Sequence, residues 1–146
     1  MFTPRGNAAQ AYSKVGVETG VEAASPHQLI VMLFDGALLA ISNAGLQMQQ
    51  QNPAGKGQSI SHAIDIISNG LKASLDKDKG GELAQNLDAL YDYMCNRLLQ
   101  ANLRNDKTAL DEVSRLLADI RSAWVEIAGA PAAQSATTSA SASAVA

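Results

Sequence analysis

With 146 residues and a formal net charge of −3, the chain can bury one core of ordinary size and lacks the basic field that would meet a run of phosphates, which sets nucleic acid aside as a partner. Apolar residues make up 47% of it and aromatics only 4%, and the apolar set is dominated by Leu, Ile and Ala, a composition that points to an all-α protein. Cys95 is the only cysteine, which excludes an internal disulfide and a multi-cysteine zinc site and fits a reducing compartment, the cytosol.

Residues 1–24 mix small and polar side chains with scattered valines, and Gly6, Gly16 and Gly20 interrupt any helical pattern, so an irregular N-terminal arm is expected. The start, Met1 to Asn7, lacks the apolar core of a signal peptide, and the longest apolar run, Leu29 to Phe34, is stopped by Asp35. Neither general secretion nor stable membrane insertion is expected. Ser25-Pro26-His27-Gln28 reads as a helix start, with Ser as N-cap, Pro at the first helical position and Gln closing a capping box. A first helix then runs from Pro26 to about Gln49.

Gln51 to Gly57, with Asn52-Pro53 and two glycines, reads as a turn. Ile60, Ala63, Ile64, Ile67, Leu71 and Leu75 follow at helical spacing and predict a second helix that stops before Gly80-Gly81, with Asp76 to Lys79 as its solvated end. A third helix carries Leu83, Leu87, Leu90, Tyr91, Met94, Leu98 and Ala101. Asp106 is a suitable N-cap for a fourth, bearing Leu110, Val113, Leu116, Leu117, Ile120, Trp124 and Ile127. Short connections make sequential helices antiparallel, so the expected fold is all-α: an up-down four-helix bundle over residues 25–128, preceded by the arm. Residues 129–146 form an Ala/Ser-rich tract with nothing large enough to anchor in a core, and a disordered tail is expected there.

Catalytic and metal chemistry find no support in these residues. A di-metal bundle site needs Glu-x-x-His on two helices, whereas the residues three places before His27 and His62 are Ala24 and Ser59. Cys95 falls on the apolar arc of helix three without a histidine near it in sequence, the setting of a small core residue. Gly80-Gly81 lacks the Lys-Ser/Thr of a phosphate loop, and Asp76 to Lys79 lacks the length and closing Glu of a calcium loop. No enzyme activity, metal or cofactor is expected.

Several segments resemble a known family. Ala24 to Gly36 (ASPHQLIVMLFDG) is similar to the N-terminal signature of the flagellar secretion chaperone family FliS. The similarity continues through Asn69 to Asp76, Gly80 to Leu87, Leu90 to Met94, Arg97 to Leu103 and Ala123-Trp124, and so covers roughly residues 8–127 in order. The resemblance implies a four-helix bundle without cofactor that binds the disordered C-terminal segment of flagellin in the cytosol, prevents premature polymerisation and presents the client to the export gate protein FlhA. The family tends to carry a bulky aliphatic residue three positions before the arm tyrosine; here Ala9 stands there, before Tyr12. A different outcome, a non-catalytic helical adaptor for a folded partner, is also compatible with the residues.

Projected at about 100° per residue, helix one differs from the others. Ile30, Leu33, Phe34, Ala37, Ile41, Ala44 and Met48 share one side, while Met32, Leu39 and Leu46 line up at seven-residue spacing opposite them. Two accounts fit the second line: a central helix touching several neighbours, or a strip kept for a partner. In the arm, Tyr12, Val15 and Val17 are apolar enough to dock on a neighbouring groove as a displaceable lid. The candidate partner residues are therefore Tyr12, Val15, Val17, Met32, Leu39 and Leu46.

Overall fold

The structure, a computed structural model, describes residues 24–129. The expected arm and tail, one residue of each apart, lie outside the described residues. Four helices follow in order: α1, Pro26–Gln49; α2, Pro53–Asp65, which continues through a π-helical stretch Ile66–Leu71 and a short 3₁₀ turn Lys72–Ser74; α3, Lys77–Arg104; and α4, Lys107–Gly129. No strand occurs among the described residues.

The start of α1 is the expected capping box. Ser25 Oγ accepts from the Gln28 amide at 3.1 Å, and the Gln28 side chain accepts from the Ser25 amide at 2.8 Å, so two of the amides left over at a helix start are satisfied. Asp106 caps α4 as expected, accepting from Ala109 N at 3.3 Å. Two other boundaries differ from the sequence reading. Asn52-Pro53 is the cap and first residue of α2 rather than a turn: the Asn52 side chain accepts from Gly55 N at 3.1 Å, and Gly55 and Gly57 lie inside the helix. Asp76 likewise begins α3 rather than ending α2, accepting from Lys79 N at 3.0 Å. One turn later Gly81, at φ 58° and ψ −136°, interrupts α3 with a backbone conformation that only glycine adopts without strain.

The cross-helix pairs fix the direction of each neighbour. Low α1 numbers meet high α2 numbers, with Gln47 beside Ser59 but Leu33 beside Gly70. His27 meets Trp124 across α1 and α4; Lys56 and Lys72 of the α2 segment meet Asn102 and Asp92 of α3; Arg97 meets Glu112 across α3 and α4. Every neighbouring pair is antiparallel. α1 packs on α2 and α4, α3 packs on the same two, and α1 and α3 make no close backbone approach, so they are the diagonal pair. The core between them contains Leu33, Phe34, Ile60, Ile66, Ile67, Met94, Leu98, Leu110, Val113 and Leu117, each at most 2% exposed. Each large side chain taken from water contributes about 1.5–3 kcal/mol.

Two glycines set the spacing of α1 and α2. A Cβ on Gly70 would stand 3.2 Å from Leu33 Cδ2, and one on Gly36 would stand 3.3 Å from Ile66 Cδ1, with Leu33 and Ile66 both buried. Gly45, by contrast, faces open space. Gly70→Ala is therefore expected to cost about 1–2 kcal/mol, overpacking exceeding the helix-propensity gain, while Gly45→Ala adds about 0.5–1 kcal/mol. Urea unfolding of the two variants measures both; a Gly70→Ala protein as stable as the parent would show the close approach to be dispensable.

Tyr91 is 3% exposed, and burial pushes its phenol up to about 12. An unfolded phenol ionises near 10, so the stability carried by the neutral buried group is fully present below that pH and lost as pH rises towards 12. Tyr91→Phe should flatten this alkaline limb of the stability profile; an unchanged limb would assign it to other groups.

Candidate functional site

The core stripe of α1 accounts for one side of that helix only. On the other side Leu39 is 63% exposed and Leu46 53% exposed, two turns and about 10 Å apart along the axis. Met32, the third member of the expected line, is half-buried, so the bundle uses part of it. Tyr12, Val15 and Val17 lie outside the described residues.

α1 holds one formally charged side chain, Asp35, and Arg121 of α4 ties it down with an Nε to Oδ1 distance of 2.6 Å. Between the two leucines the exposed residues, Ser42 and Asn43, are uncharged. Among the described residues α1 is the helix long and apolar enough to cross a membrane, yet only 33% of its most apolar stretch is buried in the fold. Of the rest, Ile30, Leu38 and Met48 pack partly against the core, and Leu39 and Leu46 are the large apolar side chains left exposed.

The ends of α1 are fixed independently of that face. Near Pro26, the His27 ring stacks on Trp124 with centroids 4.4 Å apart, its Nε2 lies 2.6 Å from the Trp124 carbonyl, and the indole donates to the His27 carbonyl at 3.1 Å. His27 is thus a clasp between the first turn of α1 and the last turns of α4. His62, the other histidine, is exposed.

A second apolar patch was not anticipated. On α3, Leu99 is 49% exposed and Leu103 81% exposed, one turn apart on one face, diagonally across the bundle from Leu39 and Leu46. A projection of helix three could have shown them, since both fall off the arc that carries Met94, Leu98 and Ala101.

Among the described residues, the ionisable groups that the fold perturbs all move away from neutrality. Glu112 is held below the usual carboxylate range by hydrogen bonds from Tyr93, at 2.6 Å, and from Arg97, at 2.7 Å. The same contacts raise Tyr93 and Arg97. Lys72 is raised by its hydrogen bond to Asp92, and the half-buried Cys95 thiol is pushed up by burial and then by Asp92. At neutral pH these groups keep their ordinary protonation states, which suits ion pairing rather than proton exchange. Among the described residues no three His, Cys, Asp or Glu side chains gather as metal ligands would.

Comparison with known proteins agrees with the resemblance in the sequence. A family model described as "Flagellar protein FliS" matches residues 8–131. The "Flagellar secretion chaperone FliS" of Salmonella typhimurium is 56% identical over 127 residues, 87% of this chain and 93% of that protein. The Escherichia coli protein of the same name is 54% identical over 126 residues, 86% and 91% of the two chains. The "Flagellar secretion chaperone FliSB" of Pseudomonas aeruginosa is 45% identical over 117 residues, 80% and 92%. Matched by the family model over most of its length and by relatives at these identities, the chain belongs to the FliS family.

Proposed function

We propose that this protein is a non-catalytic export chaperone of the cytosol that binds the disordered C-terminal segment of flagellin, keeps it from polymerising early and hands it to the export gate protein FlhA. Family membership supports a chaperone role in flagellar export. The observation that carries the finer reading is the solvent exposure of Leu39 and Leu46 on a helix whose opposite side already fills the core. A disordered client with alternating apolar residues can bury its own surface on such a strip, and the ordering cost it meets is smaller than that of folding alone. Met32, half-buried beside them, adds an adaptable thioether to the same surface. The perturbed groups, each moved away from neutrality, give no acid or base for chemistry on the client.

Two experiments test this reading. Leu39→Asp places a charge in the middle of the strip without touching the core. It should weaken binding of the flagellin C-terminal segment by tenfold or more while changing folding stability by about 1 kcal/mol or less. A collapse of thermal stability would make Leu39 a core residue and remove the strip. Binding of a folded partner by a protein indifferent to the flagellin segment would select the adaptor reading.

The arm is proposed to act as a lid, with Tyr12, Val15 and Val17 docking on the apolar groove of the empty chaperone and the client displacing them. A lid lowers the apparent affinity by the fraction of closed molecules. Deleting residues 1–18 should therefore leave flagellin binding unchanged or tighter and make the free protein more prone to aggregate. Clear loss of binding would place the arm in the client site.

A further inference from the structure

At the end of the bundle where α1 and α3 finish, a cleft of about 290 Å³ is lined by Gln47, Met48, Gln51, Asn52, Pro53, Lys56 and Asn105. That volume is at the lower limit of small-ligand sites. Lys56 is the one buried polar residue of the described core, at 6% exposure. Its ammonium donates to the Asn102 carbonyl at 3.0 Å and to the Asn105 side-chain oxygen. Both acceptors are neutral, and among the described residues no carboxylate lies within ion-pair distance of it. Lys72, Lys77 and Lys107, all far more exposed, each have at least one.

A buried ammonium held only by neutral acceptors is a costly arrangement. The end of α3 offsets part of it, because its last carbonyls carry about half a negative charge. The ammonium has three N–H groups, and these bonds use two. The cleft also opens beside the first turn of α2, whose helix dipole favours negative charge although Asn52 already takes the Gly55 and Lys56 amides. Both non-glycine residues with left-handed backbone among the described residues, Gln51 at φ 56° and Asn105 at φ 51°, sit in its wall. A cation at the base, side-chain amides that both donate and accept around it, and an apolar wall of Met48 and Pro53 match three parts of one ligand.

We infer that this cleft binds the C-terminal carboxylate of a peptide chain. The carboxylate takes the remaining N–H of Lys56, the Gln51 side-chain amide and Asn52 Nδ2 meet the last peptide group, and Met48 and Pro53 cover the last side chain. One buried cation matches one carboxylate charge, whereas a phosphate dianion would leave a second charge unmet. The inference stands without the client reading of the α1 strip.

The test is an NMR titration of the full chain with an acetylated Ala-Ala-Leu tripeptide as free acid, with its C-terminal amide, and with acetate. The free acid should shift the Asn52 and Asn105 signals saturably, the amide should bind at least tenfold more weakly, and acetate should fall well short of the tripeptide. Lys56→Gln should abolish the response to the free acid. Because Lys56 also tethers the end of α3, the comparison of acid and amide on the unaltered chain decides the matter if that variant unfolds. Equal responses to acid and amide, or none to either, would make Lys56 a helix cap only. Acetate matching the tripeptide would overturn the assignment to a peptide terminus.

Discussion

Everything in this fold depends on α1 being apolar on two sides while the bundle can cover only one. Leu33, Phe34, Ala37, Ile41 and Ala44 make it the helix against which α2 and α4 assemble. A helix in a four-helix bundle ordinarily gives its outer side to charged residues, which cost nothing in water and protect against association. α1 has a single formal charge to offer there, Asp35, and Arg121 neutralises it. Leu39 and Leu46 therefore stand in water with the uncharged Ser42 and Asn43 between them.

The polar contacts act at the ends of the bundle and along the far side. His27 and Trp124 lock the start of α1 to the end of α4, and Lys56 ties α2 to the end of α3. Tyr93, Arg97 and Glu112 join α3 to α4 on the side away from α1. None of these crosses the exposed strip; the ion pair of Asp35 with Arg121 of α4, one turn before Leu39, borders it. The scaffold beneath that face is held tightly by the close approach at Gly36 and Gly70.

Much of the fold was legible in the sequence because the signals that carried it are local. The Ser25 to Gln28 box and the Asp106 cap each act across three residues, and the core periodicity of α4 repeats every turn. Local signals also misled. Asn52-Pro53 and Asp76 are residue types shared by turns and helix caps, and only the bonds to Gly55 and Lys79 decide between the two. The site was less legible, since exposure depends on where neighbouring helices lie. Periodicity placed Leu39 and Leu46 opposite the core, but it could not show that Met32 is half covered. The Lys56 cleft joins residues 46 and 49 positions apart, for which no local pattern exists.

The central claim is that the face of α1 left over by the bundle is the face a flagellin terminus occupies. Methyl NMR of the chain, with and without the flagellin C-terminal segment, reads this directly. The account predicts that the Leu39 and Leu46 methyls shift and become shielded from a soluble paramagnetic probe when the complex forms, while Leu33 and Leu117 in the core keep their positions. A complex in which Leu99 and Leu103 are shielded and Leu39 and Leu46 stay open to the probe would contradict it.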